Sequence, residues 1–130
     1  LEERRRRLVE TVAQLPGMGG GAILRRAAEL AEGDREAVDR VLATLLWYYR
    51  DLAVWQLTRD EGRLRNRDLA AHLRGREMSA AGLLASVAAV VEARRQLRAY
   101  AAPRLVMEVL LLRLAEVVPI HGATGGGGAL

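Results

Sequence analysis

The sequence predicts an all-α fold, a helical bundle of five main helices plus one short helix, on three observations. Apolar residues recur at three- and four-residue spacing along most of the chain, as they do in helices with one buried face. No segment alternates apolar and polar residues over the length of a strand. Residues that start helices (Asp34, Ser79, Pro103) and residues that stop them (Pro16, Gly17, Gly33, Pro119) stand where the apolar patterns begin and break.

The first helix spans roughly residues 2 to 15, with Leu8, Val12 and Leu15 on one face and Pro16-Gly17 ending the pattern. A second pattern, Ile23, Leu24, Ala27, Ala28, Leu30 and Ala31, runs to Glu32 and stops at Gly33, which suggests a helical hairpin. Asp34 can cap the longest helix, from about Arg35 to Thr58, because its carboxylate accepts from the first free amides. Val38, Val41, Leu42, Leu45, Leu46, Tyr49, Leu52 and Ala53 form its core stripe at 100° per residue. Trp47 and Val54, seven apart, lie on the other side with Arg50 and Asp51 and suggest a second contact surface.

Residues 59 to 78 read as a polar connector, with a short helix possible from Asn66 or Arg67 to Leu73. Ser79 can cap a helix from Ala80 to Ala99 whose Leu83, Leu84, Val87, Val90 and Val91 face one way, while Ala85, Ala88, Ala89 and Ala93 keep the other side thin. Pro103 starts the last helix and Pro119 ends it. That helix is apolar on nearly every side yet carries Arg104, Glu108 and Arg113, so protein is expected to cover more than one of its faces.

The chain has 130 residues, 51% of them hydrophobic, enough for one core. Residues 1–118 read as a single domain and 119–130 as a flexible Gly-rich tail without an apolar pattern. The opening Leu reads as the start of a piece of a longer protein. Charges interrupt every apolar run before the roughly eighteen residues that cross a bilayer, so no membrane contact and a cytoplasmic location are expected. There is no cysteine, which excludes disulfides and thiolate chemistry. All 20 basic residues are arginine, and the net charge of +4 comes with 16 acids mixed among them, so attraction to polyanions is expected to be weak.

No constellation for catalysis is visible. Gly17 to Ala22, GMGGGA, fits G-x-G-x-x-A formally, but an amphipathic helix precedes it where a dinucleotide site needs a strand. His72 and His121 lack paired ligand spacing, and Ser79 and Ser86 lack a nucleophile's context. The expectation is a non-enzyme with no cofactor and no metal. Trp47, Tyr48, Tyr49 and Trp55 point in several directions around their helix, which fits core and protein contact better than a base-stacking platform.

Two segments resemble a known family. LLWYYRDLAVWQL, residues 45–57, and LRAYAAPRLVMEVLLLRL, residues 97–114, are similar to the C-terminal domain of the bacterial DNA polymerase III clamp-loader subunit delta prime and, more distantly, of its paralogue tau/gamma. Tyr49, Arg50, Asp51 and Leu52 match an aromatic-Arg-Asp-Leu sequence of the family's long helix. Pro103, Leu105, Glu108, Leu110, Leu111, Leu112 and Leu114 match its last helix. Two asparagines of the pattern align with Tyr100 and Ala102, so the turn must be held in another way, with the tyrosine hydroxyl as a candidate.

The resemblance implies a collar domain, a non-catalytic module for DNA replication that joins clamp-loader subunits into a ring. The partners implied are the delta and tau/gamma subunits, with DNA contacted only through the assembled complex. Trp47, Arg50, Asp51, Val54, Arg104, Glu108, Leu111, Leu112 and Arg113 are the candidate subunit-interface residues. Arg113, set among Val106, Val109 and Leu110, needs an acceptor from a neighbour or from the rim. Arg104 and Glu108, four apart, can pair. The alternative is an Arg-rich nucleic-acid-binding module that uses Arg4 to Arg7, Arg63, Arg65, Arg67, Arg74 and Arg76. Trp47→Ala is expected to weaken assembly with partner subunits and leave the melting temperature nearly unchanged, and Leu111 and Leu112 are expected to serve both core and contact. A large drop in melting temperature with assembly intact would place Trp47 in the core instead.

Overall fold

The carboxylate of Asp34 accepts from the Ala37 amide at 2.8 Å, satisfying one of the free donors that open a helix. From that cap runs the longest of five helices in the computed structural model, which describes residues 2–65, 73 and 76–117. They are α1 (Glu2–Gln14), α2 (Gly20–Leu30), α3 (Arg35–Thr58), α4 (Ala80–Arg98) and α5 (Pro103–Ala115), with single 3-10 turns at Leu15–Gly17 and Glu61–Arg63. No strand occurs among the described residues, and the fold is all-α. Most of the short helix expected from Asn66 or Arg67 to Leu73, and the 119–130 tail, lie outside the described residues.

The boundaries that differ most from the sequence reading are the start of α2 and the end of α5. α2 begins inside the glycine run, at Gly20, because Gly19 takes the extended conformation of a cap and its carbonyl accepts from the Ile23 amide at 3.0 Å. α5 stops at Ala115, before Pro119, where the Glu116 amide turns back to the Arg113 carbonyl at 3.2 Å and tightens the last turn.

The inward face of α4 is the larger correction. The large aliphatic residues were expected to share one side and the alanines another, but the buried set, Ser86, Ala89, Val90, Ala93 and Leu97, draws on both. Leu84 is 71% and Val91 50% exposed. The cause is the closeness of α5, which packs against α4. A Cβ on Gly82 would stand 3.0 Å from Val117 Cγ1, so the start of α4 lies beside the chain leaving α5 and the two helices run antiparallel. Met107, Leu110 and Leu111 of α5 are each at most 1% exposed.

α3 lies along α4, and α2 lies along α5. α1 touches α3 and α5, and α2 packs mainly on α5. Arg26 of α2 still donates to the buried Thr11 hydroxyl of α1 at 3.4 Å. The stripe expected on α3 is buried at Val38, Leu42, Leu45, Tyr49 and Leu52, joined by Tyr48 and Trp55. Tyr48 and Tyr49 meet edge to face, with ring centroids 5.1 Å apart. Burial pushes the Tyr48 hydroxyl up to about 12 and raises that of Tyr49 as well.

Polar clamps hold these helices in register. Arg94 of α4 donates two bonds of 3.0 Å to the carboxylate of Asp39 on α3, a planar two-point contact. Arg35 donates to the carbonyls of Leu97, Ala101 and Tyr100 at 3.2, 2.8 and 3.2 Å, and so caps the end of α4 with a positive charge where the helix dipole favours one. That clamp, rather than the tyrosine hydroxyl, holds the α4–α5 turn. Tyr100 itself adopts φ 66, a left-handed conformation that asparagine enters more readily than tyrosine. Farther along α3, Gln56 pairs with both backbone groups of Met78: its amide nitrogen donates to the carbonyl at 2.8 Å and its oxygen accepts from the amide at 2.6 Å.

Two outcomes follow from these clamps. Tyr100→Asn should stabilise the domain by up to about 1 kcal/mol; a lower melting temperature would show that the ring, stacked 5.1 Å from the Arg35 guanidinium, outweighs the backbone cost. The hydrogen bonds from Arg94, with the fields of Arg94 and Arg98, hold the Asp39 carboxyl below its ordinary value. A depressed folded-state pKa contributes stability above the unfolded value of about 3.9 and loses it as pH falls through the folded value. Asp39→Asn should therefore melt lower than the parent at pH 7, by no more than about 1 kcal/mol for a pair this exposed. The gap should close below about pH 4, and a gap independent of pH would refute the assignment.

Candidate interaction surfaces

At 100° per residue, α5 divides into two sides. Val106, Met107, Leu110, Leu111 and Leu114 are buried. On the other side Leu105 is 57% and Leu112 40% exposed, and with half-buried Val109 they form an apolar ridge. Arg104 and Glu108 flank the ridge on one edge and pair at 3.3 Å, as their spacing predicted. Exposed Arg113 flanks the other edge.

The surroundings of Glu92 show what adjoins that second edge. Its carboxyl is held below the usual range first by the hydrogen bonds of Arg95, at 2.9 and 2.6 Å, with smaller contributions from Gln96 and from the field of Arg113. The field of Arg113 therefore reaches an acid of α4. On α4 the exposed residues Leu84, Ala88 and Val91 share one side with Arg95, so α4 and α5, which pack together, each carry an exposed apolar strip with charges beside it.

The second candidate surface is smaller. Trp47 is 40% exposed, and two guanidinium groups lie over its ring, that of Arg65 at 4.0 Å and that of Arg50 at 5.8 Å from the centroid. Arg50 donates to Asp51 Oδ1 at 3.0 Å and to the Arg63 carbonyl at 3.1 Å. Val54 is half-buried and packs against the core.

Two of the expected interface residues do not reach the surface. Asp51 is 1% exposed, because its carboxylate turns inward to accept from the Arg65 amide at 2.9 Å and holds the chain that follows the second 3-10 turn. Leu111 is fully buried against the neighbouring helices, whereas Leu112 is 40% exposed, so the two leucines expected to serve both roles separate into one core and one surface residue. Leu84, Val91 and Leu105, absent from the expected interface set, are exposed beside it, and Arg65, considered only for nucleic acid, lies over the Trp47 ring. For the leucines and the valine the signal was present: Leu84 and Val91, like Leu105 and Leu112, are seven residues apart and so superimpose on a helix.

The other candidate groups have local roles. Ser79 caps α4 by accepting from the Gly82 amide at 2.9 Å, and Ser86 is buried beneath Tyr49. Gly17 to Ala22 forms the end of a 3-10 turn and the start of α2. Among the described residues no group of three or more histidine, aspartate or glutamate side chains could hold a metal ion, and no helix is long and apolar enough to cross a membrane. His72 and His121 lie outside the described residues. Of the arginines considered for nucleic acid, Arg7 pairs with Glu3 at 3.5 Å, Arg63 pairs with Asp60 at 3.3 Å, and Arg76 donates to the Ala13 carbonyl at 3.3 Å. Arg67 and Arg74 lie outside the described residues.

Neither a curated protein nor a solved structure matches the chain. The family model described as DNA polymerase III, delta subunit, C terminal, matches residues 2–116, a range that contains all five helices. The chain therefore belongs to this family of C-terminal domains of a DNA polymerase III clamp-loader subunit.

Proposed function

We propose that the domain is a non-catalytic scaffold that joins clamp-loader subunits to one another, the collar domain of a cytoplasmic, delta prime type subunit whose neighbours are delta and tau/gamma. The observation that carries this reading is the exposed apolar surface of α4 and α5. Leu84, Val91, Leu105 and Leu112 are each at least 40% exposed on two adjoining helices, a grouping that in a small domain favours a protein contact. The charges at its edges, Arg104 with Glu108 and Arg113 near Glu92, suit the polar rim of such a contact. The delta prime assignment rests on the Tyr49-Arg50-Asp51-Leu52 sequence and on the leucine pattern of the last helix. The nucleic-acid alternative is weaker, because Arg7, Arg63 and Arg76 are engaged within the domain.

Leu112→Asp and Leu111→Ala separate surface from core. Leu112→Asp should weaken assembly with the delta and tau/gamma subunits by tenfold or more, on the order of 1.4 kcal/mol, and barely move the melting temperature. Leu111→Ala should cost about 2–5 kcal/mol of folding stability. Co-purification and thermal melts of both variants read the two properties; full assembly of Leu112→Asp, repeated with Leu105→Asp, would remove this face from the interface.

A further inference from the structure

Of the four rings on α3, Tyr48, Tyr49 and Trp55 are buried and Trp47 is exposed. Trp47 is the ring that carries two guanidinium groups. Two like charges over one indole repel each other, and Asp51 lies between the segments that carry them. The amide of Arg65 is bound to Asp51, and Arg50 reaches both Asp51 and the Arg63 carbonyl. The carboxylate of Asp51 compensates Arg50 at 3.0 Å, and Asp60 compensates Arg63. Arg65 has no carboxylate within ion-pairing distance among the described residues. Its guanidinium lies over the indole, and its side chain is exposed.

We propose that Trp47, Arg50 and Arg65 form a receptor for a carboxylate-bearing segment of a neighbouring clamp-loader subunit. This rests on the reading of the domain as an assembly module and specifies the chemistry of a contact separate from the α4–α5 face. An aspartate or glutamate side chain meets Arg65 in the two-point geometry that guanidinium favours, and the carbon chain of the segment covers the exposed part of the indole. Charge complementarity selects this occupant. A nucleic-acid base would need the ring face for stacking, and the Arg65 guanidinium already lies over that ring at 4.0 Å.

The test uses the full chain mixed with the remaining clamp-loader subunits. Assembly is titrated at low salt and at about 0.5 M salt, where exposed charges are largely screened. Arg65→Gln keeps the backbone amide that binds Asp51, so its melting temperature should match the parent's, and it should assemble about tenfold more weakly at low salt. That difference should shrink at high salt, and Trp47→Leu should weaken assembly at both. If Arg65→Gln assembles like the parent at both salts while Leu112→Asp does not assemble, the receptor is refuted and the scaffold reading stands. If neither substitution affects assembly, both readings fail. If Arg65→Gln instead weakens the binding of a single-stranded oligonucleotide and leaves assembly unchanged, the surface serves nucleic acid and the proposal is overturned.

Discussion

The close approach of α4 to α5 sets the remainder of the arrangement. With Gly82 against Val117, α4 buries Ser86, Ala89, Val90, Ala93 and Leu97, and Leu84 and Val91 are left facing outward. The same closeness encloses Met107, Leu110 and Leu111 and leaves α5 its second, exposed side with Leu105 and Leu112. One steric constraint therefore both fills the core and exposes the apolar surface outside it. Tight packing fixes such choices sharply, because an extra methylene at a close contact has no space to occupy.

Much of this was legible in the sequence where the cause is local. Asp34, Ser79 and Pro103 mark helix starts because capping acts within one turn, and the α3 stripe is visible because one face of one helix records its own burial. The face of α4 was misjudged because it depends on how near another helix comes, and periodicity does not encode distance. Of the residues expected on the aliphatic side only Val90 is fully buried, and of the four alanines on the thin side only Ala89 and Ala93 are. Asp51 was placed on a surface for a related reason. Its partner is the amide of Arg65, fourteen positions later, and a backbone donor has no signature in the amino-acid letters. The Trp47 surface was found from its spacing with Val54, but Arg65, which completes it, comes from the following segment.

Arg35 shows how a residue at the start of one helix governs the end of another. Lying one position after the Asp34 cap, it reaches the last carbonyls of α4 and the turn into α5. With the Asp39–Arg94 pair one turn farther along, it fixes α3, α4 and α5 relative to each other from a single end. An interface spread over α4 and α5 gains from this, because a contact surface made of two helices is only as well defined as the angle between them.

The anchors on α3 have a consequence for the segment they bracket. Asp51 holds the backbone at Arg65, and Gln56 holds it at Met78. Five residues of helix separate the two anchors, a span of about 7.5 Å. The connector's ends are thus fixed close together by α3, whatever lies between them. Loop closure then costs little for added length, about 0.6 kcal/mol for a doubling. Leu73, fully buried in the core, and Arg76, which donates to the Ala13 carbonyl, tie the connector to the bundle at further points, so added length is cheap only where it leaves those contacts in place.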